Sequence, residues 1–309
     1  MKHFSVITTE LYPAMGLGNH LWTYAVCRTI AMDRGLDFGI QSAYRFKGRH
    51  IMKLDYGCKV RGRSSRSFSS RLPDGVEHYY LERLTRMPSS GERIPCFDPY
   101  LSRISDGTKI DGYFQAERYI RHRKNEISNW FTVDHDAKAT EDLCVVSVRG
   151  SDYLTLGLAL GAQYYRHAIA AMNRLRPGAR FVVITDDPVH ARRLLPDLKF
   201  AHPPGSRLTV NRLTRRRRFL GEQLALLQQA PMMILANSSY AWWGAWTNAG
   251  DPLVIAPKYW RRHNSSDGYW HAGDSLTQDW LWLDRDGALF TADECAREFD
   301  GYKTLHGLE

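Results

Sequence analysis

The sequence predicts an α/β protein built on parallel sheets wrapped by helices, in the Rossmann manner, and three observations carry that prediction. From Leu143 onward, short apolar runs alternate with helical patterns. Near the N-terminus a strand, a glycine-bearing loop and an apolar helix follow in that order. The length of 309 residues favours two domains over one, because single hydrophobic cores stop growing at about 250–300 residues.

Taken along the chain, Phe4 to Thr8 alternates weakly and reads as a strand, followed by a loop containing Pro13, Gly16 and Gly18. Leu21 to Arg34 reads as an apolar helix closed by Gly35. Residues 41–110 are rich in Arg, Ser, Gly and Pro, with basic serine clusters between Arg61 and Arg71, and are expected to hold short helices and loops. Leu143 to Val148 is valine-rich, as in a strand buried on both faces. Gln163 to Arg174 is helical until Pro177-Gly178 breaks the pattern, and Phe181 to Ile184 is a second buried strand. Thr185-Asp186-Asp187-Pro188 leads into a helix near Val189. Phe219 to Gln229 is helical, Met232 to Leu235 a strand, and Asn237-Ser238-Ser239 precedes a helix from Tyr240. Leu253 to Ala256 reads as the last strand. The polar stretch Asp134 to Asp142 suggests a boundary near residue 140. This divides the chain into residues 1–140, residues 141–275, and a tail, residues 276–309, expected to pack back on the first domain.

Composition limits the function classes. With 43% hydrophobic and 24% charged residues the chain is globular, which excludes collagen-like, low-complexity and wholly disordered readings. The 42 Lys and Arg against 33 Asp and Glu give a net charge of +9. That balance points to an anionic partner: nucleic acid, a membrane surface or a phosphorylated small molecule. No apolar run approaches the roughly 20 residues that span a bilayer, and Phe4 to Thr8 is too short and polar for a signal peptide core. The expected location is cytoplasmic, at most peripheral to a membrane. Five scattered cysteines without a C-x-x-C pair read as reduced, mostly buried thiols. The 12 histidines show no H-E-x-x-H spacing.

In parallel sheets ligands sit outside the carboxyl ends of the strands, which singles out residues 149–152, 185–187 and 237–239. Asn237-Ser238-Ser239, at a helix start, suits either an anion cradle or ordinary helix capping. Arg149, just past a buried strand, can pair with phosphate through parallel hydrogen bonds or simply be solvated. Asp152 can accept a proton or hold Arg149 in place. Asp186 and Asp187 suit metal ligation or the donor edge of a base or ribose, and Asp284-Arg285-Asp286 also suits a metal. Gly16-Leu17-Gly18-Asn19 lets the backbone approach a ligand, but lacks the third glycine of the dinucleotide fingerprint. Arg215 to Arg218 is a charge run, solvated or set against phosphates or lipid head groups. The tryptophans of residues 240–246 suit a core better than a site.

Together, Gly16-Leu17-Gly18-Asn19, Asp111-Gly112-Tyr113-Phe114-Gln115, Tyr164-Tyr165, Asp186-Asp187 and above all Asn237-Ser238-Ser239-Tyr240-Ala241-Trp242-Trp243-Gly244-Ala245-Trp246 resemble glycosyltransferase family 11. These are the α-1,2-fucosyltransferases, here in the bacterial form without a membrane anchor. The resemblance runs from about residue 14 to residue 260 and leaves residues 41–110 unmatched. It implies a GT-B fold, two Rossmann-like domains facing a central cleft, with residues 1–140 as the acceptor-side domain and GDP-fucose held mainly by the C-terminal one. It also implies inverting transfer of fucose, without metal or other cofactor, to a glycan hydroxyl such as the 2-OH of galactose. The family's catalytic loop reads His-x-Arg-Arg-x-Asp-Tyr. Here it reads Ser147-Val148-Arg149-Gly150-Ser151-Asp152-Tyr153, and the usual glutamine after Asn19 is His20.

On this reading Arg149 and Asp152 are the catalytic candidates. Gly16, Gly18, Asn19, Arg149, Asp186, Asn237, Ser238 and Ser239 bind the donor, with Asp186 reading guanine. The implied partners are a nucleotide sugar and a glycan acceptor, with peripheral membrane contact through a lipid-linked acceptor and no nucleic acid. Three alternatives compete: a different nucleotide sugar on the same fold, a metal-dependent transferase using Asp284-Arg285-Asp286, and a basic nucleic-acid-binding protein built on Arg61 to Arg71 and Arg215 to Arg218.

Overall fold

The computed structural model describes residues 5–86, 93–133, 139–201, 212–260, 263–264 and 276–307. The chain divides into two compact units, Met1–Phe131 and Thr132–Glu309. The division falls at Phe131/Thr132 rather than near residue 140, and residues 134–138 of the expected boundary lie outside the described residues.

In the first unit a parallel four-stranded sheet has the order β2-β1-β6-β3. Its strands are β1 (Val6–Glu10), β2 (Asp37–Gln41), β3 (His78–Leu81) and β6 (Thr108–Asp111). A separate antiparallel ribbon joins β4 (Leu84–Arg86) and β5 (Arg93–Pro95). Helix α1 (Leu17–Asp33) follows β1 and is buried on nearly every side, so its sequence is apolar rather than striped. It stops where Gly35 takes a left-handed φ of +63°. A short helix α2 (Lys124–Trp130) closes the unit.

Four strands, β3, β4, β5 and β6, thus lie within or at the edge of the stretch expected to hold short helices and loops. The hydrophobic pattern does not reveal β6, Thr-Lys-Ile-Asp, because its four residues are all buried while three are polar or charged. Lys109 and Asp111 neutralise each other inside the protein, 3.3 Å apart.

The second unit is a seven-stranded sheet of order β13-β12-β11-β10-β7-β8-β9. It runs through β7 (Leu143–Val148), α3 (Asp152–Thr155), α4 (Ala162–Leu175), β8 (Arg180–Thr185), α5 (Pro188–Leu194), β9 (Lys199–Phe200) and α6 (Arg212–Leu227). It continues through β10 (Met232–Ile234), α7 (Ser239–Trp246), β11 (Leu253–Pro257), β12 (Leu281–Leu283), β13 (Leu289–Phe290) and α8 (Ala292–His306). All pairings are parallel except β12 with β13.

Two expectations are corrected here. Leu253–Pro257 is not the last strand, because β12 and β13, too short to leave a periodic signal, extend the sheet. For the same reason the tail belongs with the second unit: β12 pairs with β11, and α8 packs on β12. Helix α8 carries its own start and stop signals, a Thr291/Glu294 capping box at its beginning and a left-handed Gly307 at its end.

Val146 and Val148 of β7, Tyr164, Tyr165 and Met172 of α4, and Ile234 and Ile255 share one core. The tryptophan block is also core. Trp243 and Trp246 are fully buried, Trp242 stacks on Trp246 with ring centroids 5.3 Å apart, and the Trp242 indole N–H donates to Thr277 Oγ1 at 2.9 Å. Gly244 lets α7 lie against α6, since a Cβ there would sit 2.5 Å from the Leu227 Cβ. Arg215 to Arg218 fall in α6, and their side chains lie outside the described residues.

Candidate functional site

In each unit the strand order reverses at one place. In the second unit the chain leaves β7 toward β8 and β9, then returns to the other side of β7 as β10. A crevice outside the carboxyl ends of β7 and β10 follows from that topology. The loops after β7, β8 and β10 converge there.

Arg149 leaves the end of β7 and its guanidinium makes two ion pairs, with Asp186 after β8 and, at 3.0 Å, with Asp152 at the start of α3. Asp186 also accepts the Gly150 N–H at 3.0 Å. Asp187 accepts the Ser151 N–H at 3.3 Å and caps α5 through the His190 N–H at 3.0 Å, and these bonds hold its carboxyl below the usual range. The turn is strained: Ser151, which is not a glycine, has φ +47°. Gly150 is there by necessity, because a Cβ would lie 2.5 Å from the Asp187 Cβ.

Tyr153 connects this loop to the one after β10. Its ring lies 4.8 Å beneath the Arg149 guanidinium, and its hydroxyl donates to the Asn237 carbonyl at 3.1 Å. Burial pushes its phenol up. The Asn237 amide donates to the Leu158 carbonyl at 2.9 Å, while its Oδ1 is buried without a hydrogen-bond partner. Ser238 stands at the N-cap of α7, but its hydroxyl does not cap the helix. The ordinary capping role therefore does not account for Ser238. Among the sequence-read candidates, Arg149, Asp152 and Asp186 meet directly, and Tyr153 ties Arg149 to Asn237 and so to Ser238 and Ser239.

Asp284 turns its carboxylate inward and accepts the Asp286 N–H at 2.9 Å and the Ala288 N–H at 2.8 Å, closing the turn between β12 and β13. Among the described residues, no group of three or more His, Cys, Asp or Glu is arranged to hold a metal ion. No helix among them is long and apolar enough to cross a membrane.

The remaining candidates belong to the first unit. Gly16 is the N-cap of α1, with open space where a Cβ would be; Gly18 is buried in the helix. Asn19 Oδ1 accepts from Gln115 Nε2 at 2.8 Å, which links the glycine loop to the turn after β6. That turn is held by Glu82, whose buried carboxylate accepts the Tyr113 and Phe114 N–H groups at 2.7 and 2.9 Å and is pushed up to about 7 by burial. Phe114 takes φ +50° there. His20 receives the Lys47 N–H on Nδ1 at 3.4 Å, so its Nε2 carries the proton toward the Tyr12 carbonyl at 2.9 Å. Burial lowers its pKa to about 4, so it is a neutral structural residue.

The sequence reading missed Glu82 and the buried cluster at the ends of β1 and β6. Lys109 lies between Glu10 and Asp111 at 3.6 and 3.3 Å, and Tyr12 and Tyr79 both donate to Asp111. Asp111, within a quoted motif, was the one available signal.

No protein-family model matches the chain. The chain is similar to the O-antigen biosynthesis glycosyltransferase WbnK of Escherichia coli, 24% identical over 184 residues covering 53% of this chain and 58% of that protein. It thus spans less than two thirds of WbnK. It is also similar to an α-1,2-colitosyltransferase of Escherichia coli, 25% identical over 312 residues covering 91% of this chain and 100% of that protein. Among solved structures, the fucosyltransferase NodZ from Bradyrhizobium shares 12% identity at a TM-score of 0.35, covering 78% of this chain and 91% of its own. Both sequence relatives are glycosyltransferases, in agreement with the resemblance carried by residues 237–246.

Proposed function

We propose that the protein is an inverting glycosyltransferase that moves L-fucose from GDP-fucose to a hydroxyl of a galactose-containing glycan, without a metal. The observation that supports this most is Arg149. It stands at the carboxyl ends of the strands flanking the reversal, held by two carboxylates and resting on Tyr153.

In this reaction the bond from sugar C1 to the phosphate oxygen breaks through an oxocarbenium-like transition state. The electron pair leaves with GDP, the acceptor oxygen bonds to C1 from the opposite face, and the acceptor's proton passes through Asp152, the exposed carboxylate of the loop, to solvent water. Arg149 and the donors at Ser238 and Ser239 stabilise the charge developing on the diphosphate. Asp152, paired to Arg149, acts chiefly to aim it. Asp186 retains lone pairs beyond those given to Arg149 and Gly150, so it can hold the arginine and also accept from guanine N1 and N2. Gly150 in place of the family's second arginine leaves Arg149 as the loop's cation.

A second reading, transfer of a nucleotide-linked colitose, is favoured by the colitosyltransferase that the chain matches over its whole length. Calorimetric titration with GDP-fucose, GDP-mannose and UDP-galactose, with and without EDTA, tests the donor. The expected result is chelator-insensitive preference for GDP-fucose that Arg149→Ala weakens. Equal binding of the UDP-sugar would overturn the Asp186 assignment.

A further inference from the structure

The segment of Arg61 to Arg71, which neither strands nor helices claim, lies across the carboxyl end of the first sheet as a strap. Its main chain is fastened at many points. The Ser65 N–H donates to Glu10 Oε1 at 2.7 Å and the Ser69 N–H to Asp111 Oδ2 at 3.1 Å, so the strap is tied to the last residues of β1 and β6. Lys109 Nζ donates to the Ser69 carbonyl at 2.9 Å and the Arg71 carbonyl at 3.3 Å, and Arg45 to the Ser65 carbonyl at 2.6 Å. These are the strands between which the first sheet reverses its order, where open α/β sheets take their ligands.

The anchors use the backbone, and the arginine side chains are left outward. Arg61, Arg63, Arg66 and Arg71 are all exposed. Among the described residues no carboxylate forms an ion pair with any of them. Four guanidinium groups without a carboxylate partner among the described residues, set within eleven residues of fixed backbone, repel one another, and an anion relieves that repulsion. Beside them Phe68 of the strap sits edge-on between Tyr12 and Tyr113, with centroids 5.2 and 5.4 Å away, and the Tyr113 ring is 40% exposed.

We infer that this strap and the Tyr113 ring form a binding subsite for a saccharide that carries a negative charge, the acceptor of the transferase proposed above, on whose reading the word acceptor rests. Guanidinium forks bind phosphate or carboxylate oxygens through parallel hydrogen bonds. The Tyr113 ring offers the sugar an amphipathic face. Nucleic acid is the competing occupant; two exposed rings lie at the strap, Tyr113 and Tyr44, the latter with its hydroxyl 3.4 Å from that of Ser64, and the oligonucleotide arm of the test below decides between the two occupants.

The test is equilibrium titration of the full chain without donor, so it reads the subsite whatever the donor proves to be. Three probes are compared: a galactose-terminated disaccharide, the same disaccharide bearing a reducing-end diphosphate, and the same bearing a uronic acid. At low salt at least one charged probe should bind about tenfold tighter than the neutral one, with an advantage that shrinks as salt rises. Which one binds identifies the source of the charge. Arg63→Gln combined with Arg66→Gln should abolish that advantage and leave the melting temperature unchanged, because the anchors are main-chain. Tyr113→Ala should weaken charged and neutral probes alike. Equal binding of the three probes overturns the inference, as does charge preference that survives in the double variant. So does a single-stranded RNA oligonucleotide that binds more tightly and displaces the saccharide. A failed donor titration combined with charge-selective saccharide binding would overturn only the donor assignment.

Discussion

The two sheets end in opposite ways. At the reversal of the first sheet, β1 and β6 deliver Glu10, Lys109 and Asp111 into a closed cluster in which Lys109 is fully buried and the strap lies on top. At the reversal of the second, β7 and the loop after β8 deliver Arg149, Asp152 and Asp186, and among the described residues no strap lies over them; the Asp152 side chain is 60% exposed and that of Arg149 31% exposed. The topology is the same and so is the chemistry, cations between carboxylates. What differs is the covering segment, which seals the first group inside the fold and leaves the described part of the second open to solvent.

The largest expected effect is on stability, at the closed end. Lys109→Met leaves Asp111 buried without its cation and Glu10 with Arg45 alone, a loss of about 3–5 kcal/mol, visible as a lower urea midpoint. A shift under about 1 kcal/mol would mean that the cluster is wetter than its burial indicates, and the contrast between the ends would break. At the open end Arg149→Ala should cost about 10²–10³ in turnover while the melting temperature barely moves. Arg149→Ala acting mainly on stability would place Arg149 with Lys109 instead. Gly150→Ala comes next: its methyl would meet the Asp187 Cβ, which cannot swing aside. The loss is about 1–3 kcal/mol, with weaker donor binding, and Gly150→Arg should do the same rather than add a useful charge.

The smallest effect is the pH dependence of His20. Its folded pKa, about 4, lies below the ordinary 6.5, so the unfolded chain takes up the proton first as pH falls. Stability contributed at neutral pH is lost from about pH 6.5 toward 4. At pH 7 His20→Gln should be close to wild type. Near pH 5.5 it should gain on wild type by roughly 1 kcal/mol in paired denaturation curves. A gap that stays constant with pH would show His20 to be solvated.

The second unit was more legible than the first for a physical reason. Strands buried on both faces, such as β7, must be continuous apolar runs, and tryptophans packed in a helix core leave a distinctive block. In the first unit the burial at the ends of β1 and β6 is polar. β6 hides Lys109 and Asp111, and a strap with no hydrophobic period fastens to them through backbone groups that no side-chain pattern reports.

By itself, then, the sequence determined the alternating α/β architecture, the loops at the carboxyl ends of its second sheet, and the position of Arg149, Asp152 and Asp186 on those loops, because periodicity and strand-end position are local properties of a chain. Only the tertiary structure decided that Asp186 and Asp152 grip Arg149, that Gly150 exists to admit Asp187, that the tail completes the second sheet, and that the arginine-rich segment is a fixed strap. Those facts join residues that lie from 3 to 55 positions apart, and what such pairs share is a distance in space and a degree of burial that no local pattern encodes.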